Sequence, residues 1–177
     1  MRPFLLRSVL SLILSQDSNN AGSLTGGCRR KEAMAQLGKM VRDTSRTRAA
    51  SRLRHAGLRP TRQRVELAGL LFTGVDRHVT AEALHGEVTA TGVKVSLATV
   101  YNTLHQFTGA GLLRQVVVDA SRSYFDTNTG DHQHFFVENE GLLIDIPGET
   151  IAVAGVPTPP EGLSVDRVDV VVRVKRA

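Results

Sequence analysis

Residues 96–115, SLATVYNTLHQFTGAGLLRQ, decide the fold of this chain. Apolar residues fall at Leu97, Val100, Leu104 and Phe107, the spacing of one helix face. Ser96 stands where a helix cap is needed, since its hydroxyl can accept from the open N–H groups of the first turn. Gly109 or Gly111 supplies the stop. The other face carries Thr99, Asn102, Thr103, His105 and Gln106. A solvated helix face ordinarily mixes Lys with Glu. Hydroxyls, amides and an imidazole instead match the donors and acceptors of base edges in a DNA major groove.

Working upstream, the apolar periodicity predicts three more helices. One runs over residues 48–56 and ends at Gly57. A second starts at Pro60 and continues through Phe72, with Val65, Leu67, Ala68, Leu70, Leu71 and Phe72 as its apolar stripe. A third is capped by Thr80, carries Glu82 in its first turn, turns Ala81, Leu84 and Val88 inward, and ends at Gly92. Downstream, LLRQVVVD and SRSYFDT are strand-like runs around Asp119-Ala120-Ser121, a hairpin. Helices followed by a two-stranded ribbon make a winged helix-turn-helix.

The charge distribution agrees. Residues 1–65 carry 14 basic and 3 acidic side chains, and residues 66–177 carry 8 and 14. A net +11 in front of a net −6 directs the front toward a polyanion. Residues 44–65 hold seven arginines (46, 48, 52, 54, 59, 62 and 64) and no acid. Guanidinium groups fit phosphates bidentately. Cys28 is the one cysteine, so neither an internal disulfide nor a Cys-x-x-Cys zinc site can form. The apolar run in MRPFLLRSVLSLILS is too short to span a membrane as a helix, and Arg7 interrupts it. Residues 15–27 read as disordered, a weak helix fits residues 31–40, and Met34 or Met40 offers an alternative start.

After Asp126 the pattern changes. DHQHFFVENEGLLIDI reads as two strands around a Glu-Asn-Glu-Gly turn. A short helix is expected over residues 149–154 and a final strand over 165–175. A sheet this small buries little alone, so a second copy of the chain is the expected partner. His132 and His134 at i, i+2 on a strand point to the same side. Both imidazoles can then reach one ion, with Asp126 upstream as an oxygen donor and His78 as a third nitrogen. Such a set would hold Zn²⁺, Fe²⁺ or Mn²⁺. The two histidines could equally ligate haem iron, and Cys28 is a second candidate for haem.

GLRPTRQRVEL, HVTAEAL and SLATVYNTLHQFTGAGLLRQ together resemble the winged-helix domain of the ferric uptake regulator family. AGLRPTRQR, VSLATVYNTL, YFDTN and DHQHFFVEN resemble its iron response regulator branch most closely. The resemblance implies a cytoplasmic homodimer that binds AT-rich, palindromic promoter operators. It places the recognition helix on residues 96–108 and the DNA-contacting tyrosine on Tyr101. Asn102 replaces the family's usual arginine, and Asn pairs well with adenine. The family's basic first helix falls on the region of Arg52, Arg54 and Arg59. Its hinge metal site maps to His78, Asp126, His132 and His134, with Asp126 where most members have Glu. A second metal site is eroded, with Gln133 at one position. The structural-zinc cysteines are absent, Val137 and Glu140 standing in their places. In the iron response branch haem binding weakens DNA affinity, and here it would rest on His132 and His134. Cys28 lacks the proline of a haem regulatory motif, because Arg29 follows it.

These readings give an α+β chain. Residues 1–47 form a disordered or mis-assigned extension, 48–126 a winged-helix DNA-binding domain, and 127–177 a small α/β dimerisation and sensing domain. The expected function is an iron- or haem-responsive transcriptional regulator of iron homeostasis, not an enzyme. Arg52, Arg59, Arg62, Ser96, Thr99, Tyr101 and Asn102 are its expected DNA contacts. The rivals are a zinc, manganese or peroxide sensor of the same family, and a small metalloenzyme built on the histidines. The last lacks a general base and any nucleophile or phosphate-loop signature.

Overall fold

The computed structural model describes residues 26–119, 122–147 and 150–176. The chain divides into two units, residues 1–42 and 43–177. Helix α1 spans Gly26–His55. In the first unit it is the whole of the described structure, residues 26–42; the readings placed on residues 1–25 lie outside the described residues. The sequence suggested disorder to residue 47 with separate helices over 31–40 and 48–56. A single helix forms instead, because Ala, Arg, Lys, Met, Leu and Gln dominate residues 31–55, Gly38 is their one glycine and they contain no proline. Its C-terminus closes at Gly57, whose φ of 74° suits glycine. Leu58 N–H reaches Leu53 O at 2.9 Å and Gly57 N–H reaches Arg54 O at 3.0 Å, the paired bonds of a Schellman end.

The second unit adds α2 (Arg62–Leu71), β1 (His78–Val79), α3 (Ala81–Ala90), α4 (Leu97–Gly109), and strands β2 (Arg114–Asp119), β3 (Arg122–Asp126), β4 (His132–Val137), β5 (Leu142–Pro147) and β6 (Val171–Val174). Each of α2, α3 and α4 starts on a hydroxyl cap: Thr61, Thr80 and Ser96 accept from Arg64, Ala83 and Thr99 N–H. Pro60 therefore precedes the cap of α2 rather than opening the helix. Helix α4 ends in a second Schellman pair at Gly111, with φ 69°.

Leu53, Leu67, Leu71, Leu84, Val88, Val100, Leu104, Phe107 and Phe125 form one core beneath the helices. Thr103, expected on the polar face of α4, is buried at 5% exposure. It stands three residues after Val100 and four before Phe107, within the inward stripe.

β1, β3 and β2 form one antiparallel sheet, and β2–β3 is the wing. β5, β4 and β6 form the other, with β6 parallel to β4. A second core of Val116, Val118, Tyr124, Phe136 and Leu143 joins wing to sheet. The Tyr124 hydroxyl donates to Gly141 O at 2.7 Å across that joint. The final strand is shorter than expected. Ahead of Val171, Asp169 pairs with Arg114 and Arg167, and Val170 N–H donates to the Gln133 side chain at 2.6 Å. Those side-chain bonds, with His134 N–H donating to Val170 O at 3.1 Å, hold the segment without a continuous ladder. Residues 151–160, where part of a short helix was expected, form no regular element, and Gly155, Pro157, Pro159 and Pro160 punctuate them. The architecture is α+β, a winged helix followed by a small sheet domain.

Candidate functional site

Two register pairs build a cluster of metal-ligand type. His78 on β1 stands opposite Asp126 on β3, and His134 on β4 stands opposite Asp145 on β5. His132, two residues before His134, falls on the same face. One donor atom from each of the five lies within 4.8 Å of all the others. His132 Nε2 is 3.0 Å from His134 Nε2 and 2.8 Å from Asp126 Oδ2. His78 Nε2 is 3.5 Å from the same Asp126 oxygen and 2.9 Å from Asp145 Oδ1. Metal–donor bonds of about 2.1 Å would set neighbouring donors about 3.0–3.4 Å apart, the scale seen here.

The surroundings fix these atoms. His132 Nδ1 lies 2.9 Å from Gly130 O, a contact in which only the ring can donate. In the neutral ring this leaves the Nε2 lone pair facing the cluster. Asn128 N–H donates to Asp126 Oδ1 at 2.8 Å, turning Oδ2 inward. Burial raises the Asp126 carboxyl, but His134, His78 and the Asn128 N–H together hold it well below the ordinary carboxylate range. Asp126 Oδ2 and His78 Nε2 are buried with no hydrogen bond of good geometry among the described residues. Three imidazoles and two carboxylates therefore converge on one small space, two of their buried polar atoms without a well-formed hydrogen bond. A divalent cation resolves that arrangement, so the residues present fit one.

Asp145 is the donor that sequence reasoning missed. The signal was there: once the four-residue turn after Val137 is placed, hairpin register sets His134 opposite Asp145. A lone acid in the apolar run LLIDI then marks the ligand. The side chain of Cys28, the other haem candidate, lies outside the described residues.

A second surface surrounds the start of α4. Ser96 Oγ is engaged in capping and also contacts Thr99 Oγ1 at 2.8 Å. Thr61, Arg62 and Gln63 from the start of α2 line a groove with Gly92, Val93 and Lys94. Gln63 and Lys94 continue it past Ser96 and Thr99. Lys94 and Gln63 were not anticipated, because their proximity depends on how α2 packs beside α4. Asn102 is exposed. Tyr101 is half-buried, its hydroxyl donating to Glu82 at 2.6 Å. That bond pulls the Glu82 carboxyl below its ordinary range and raises the Tyr101 hydroxyl. Arg52, Arg59 and Arg62 are all exposed, and the Arg52 guanidinium lies over the Phe72 ring at 3.9 Å. Gln106 is held by Arg64 through bonds of 2.7 and 3.1 Å.

The ferric uptake regulator family model matches residues 55–158. The ferric uptake regulation protein of Pseudomonas aeruginosa is 35% identical over 96 residues, 54% of this chain and 72% of that protein. A peroxide-responsive repressor of Staphylococcus aureus is 33% identical over 93 residues, 52% of this chain and 62% of its own length. The solved structure of the Pseudomonas aeruginosa ferric uptake regulator with manganese superposes with a TM-score of 0.54 at 27% identity, covering 72% of this chain and 97% of that one. The matched segment contains the three capped helices, the wing and all five clustered donors, and on that match the chain belongs to the ferric uptake regulator family.

Proposed function

We propose that this chain is a metal-responsive transcriptional regulator in which the five-donor cluster holds a divalent ion and thereby sets the DNA affinity of α4. One observation carries the reading. Asp126 ends the wing strand β3, and its neighbour Phe125 packs edge-on against His105 of α4, with ring centroids 5.6 Å apart. An ion held by His78, Asp126, His132, His134 and Asp145 cross-links strands of both sheets, and the wing strand it grips lies directly on the recognition helix. A bound ion would supply a fixed positive charge between the five donors. The protein supplies the orientation, through Gly130 and Asn128.

Five nitrogen and oxygen donors suit Fe²⁺ or Mn²⁺ better than tetrahedral Zn²⁺. The peroxide-responsive relative makes iron-linked peroxide sensing the second reading at the same donors. Haem is a less direct occupant: His132 and His134 are 4% and 1% exposed, and axial ligation would require a ring to leave the cluster. In this account residues 48–126 bind DNA and contribute His78 and Asp126 to the ion, and residues 127–177 complete the sensing site and dimerise. The exposed apolar side chains Phe135, Leu142 and Ile144 supply a face for a second copy. No described helix is long and apolar enough to cross a membrane. A regulator of promoters works beside the DNA, which places it in the cytoplasm.

Arg59, Arg62 and Lys94 are assigned to phosphates, and Thr99, Tyr101 and Asn102 to the groove. Arg52, stacked on Phe72, and Ser96, acting as a cap, support the interface from its edge. The operator follows the family expectation, AT-rich and palindromic. Selection from random duplex DNA, run without metal, with Mn²⁺, with Fe²⁺ and with haem, tests the proposal. Enrichment of one motif with metal supports it; no sequence-specific binding under any condition overturns it. Loss of affinity on adding haem would move the reading toward the haem-responsive branch. Asn102→Ala should cost about 1–3 kcal/mol and relax preference at one base position. Arg62→Ala should weaken all sequences alike and lower the salt slope by about 0.9. Fluorescence anisotropy across a salt series separates the two effects.

A further inference from the structure

Arg114 is a charged side chain buried to 3% exposure and not among the metal donors. It sits on β2 directly opposite Asp126 in the β2–β3 register. Its Nη1 donates to His132 O at 2.9 Å and to Gly130 O at 3.3 Å. Gly130 O is also the acceptor that orients His132 Nδ1. Its Nη2 pairs with Asp169, in the chain leading into β6. Burial raises the Asp169 carboxyl, and the bond and charge of Arg114, with help from Arg167, bring it below the ordinary range. Arg114 Nε is buried with no acceptor among the described residues. A buried arginine with one N–H unsatisfied is weak evidence for stability and better evidence for a positional task.

We infer that Arg114 is a positioning residue for the metal centre, clamping the Gly130–His132 backbone and tying it through Asp169 to the segment that enters β6. The inference rests on reading the five-donor cluster as a metal site. Its consequence is a link between the ion and the C-terminal strand. Residues 166–170 have no ladder ahead of β6; they are held by Arg114, by the Gln133 side chain and by the His134 N–H, which donates to Val170 O at 3.1 Å. Two of those three anchors belong to β4 between and beside the histidine ligands. The third is Arg114. An ion that fixes His132 and His134 also fixes the anchors of residues 166–170, and Arg114 transmits the constraint to the wing strand.

The test uses the full chain with Arg114→Met and Arg114→Lys. Lysine keeps the buried charge but offers one nitrogen where Arg114 uses Nη1 for the carbonyls and Nη2 for the carboxylate, so it serves if methionine fails to fold. Mn²⁺ affinity is read from the EPR signal of free Mn²⁺, ligand geometry from the visible spectrum of bound Co²⁺, and seating of the segment from amide exchange of residues 166–174. Substitution of residues that orient metal ligands typically costs 10–100-fold in affinity. The expected results are a loss of about that size in the variants, an altered Co²⁺ spectrum, and slowing of exchange by Mn²⁺ in the wild-type chain but not in the variants. Folded variants with wild-type Mn²⁺ affinity and Co²⁺ spectrum would overturn the role of Arg114 while leaving the metal site standing. A wild-type chain that binds neither ion would overturn the metal reading and this inference with it.

Discussion

Replacing His132 and His134 together with alanine is expected to lower Mn²⁺ affinity by more than about 100-fold and to remove metal-dependent DNA binding. The estimate follows from what each ring does. Changes behind a ligand already cost about 10–100-fold, and this pair removes two of five donors outright. His132 is the ring closest to Asp126, at 2.8 Å, and His134 is the most deeply buried of the three. Neither ring lies in the helical core, so α2, α3 and α4 should retain their far-ultraviolet signal. Titration of the double variant with Mn²⁺, followed by anisotropy of a labelled operator, checks the result. A double variant that still gained DNA affinity on adding Mn²⁺ would move the sensing site elsewhere. Asp145→Ala belongs in the same series, because the geometry makes Asp145 a full donor.

Phe107→Ala should cost the winged helix about 3–5 kcal/mol of stability. Phe107 is fully buried in α4, with its ring 6.2 Å from that of Phe72. Truncation removes the transfer energy of the ring and leaves a cavity, and the surrounding Leu53, Leu71 and Leu104 are themselves fully enclosed and can fill it only by shifting the helices. Urea unfolding of the variant should show a lower midpoint with an unchanged slope. A cost below about 1 kcal/mol would mean that α4 is packed less tightly than its burial indicates. Because α4 also presents Asn102, DNA binding should fall with stability while Mn²⁺ affinity is largely kept.

How much was readable before the structure depends on whether a feature is local. The Ser96, Thr80 and Thr61 positions advertise themselves by a hydroxyl ahead of an apolar period, and two of the three caps were anticipated. The wing and the β4–β5 hairpin were legible from alternation around turn residues. His78, Asp126, His132 and His134 were identified as ligand candidates, and the structure brings all four together. Asp145 was missed because it enters only through cross-strand register. The length of α1 was missed because Ser, Gly and Thr suggested a loop where helix formers outweigh them. Thr103 was misplaced because a hydroxyl looks polar in sequence but can lie in an inward stripe. Arg114 could not have been singled out, since its partners Gly130, His132 and Asp169 lie 16, 18 and 55 residues away.

The central claim is that ion binding at the five donors and DNA binding at α4 are coupled. Such coupling must be reciprocal: if Mn²⁺ changes operator affinity by some factor, the operator changes Mn²⁺ affinity by the same factor, commonly about 5–150-fold. The most direct measurement is therefore Mn²⁺ affinity of the wild-type chain with and without saturating operator DNA, set beside operator affinity with and without Mn²⁺. The account predicts tighter binding in both comparisons by one shared factor, and no such factor in the His132→Ala, His134→Ala variant. An Mn²⁺ affinity that is the same with and without operator would contradict it.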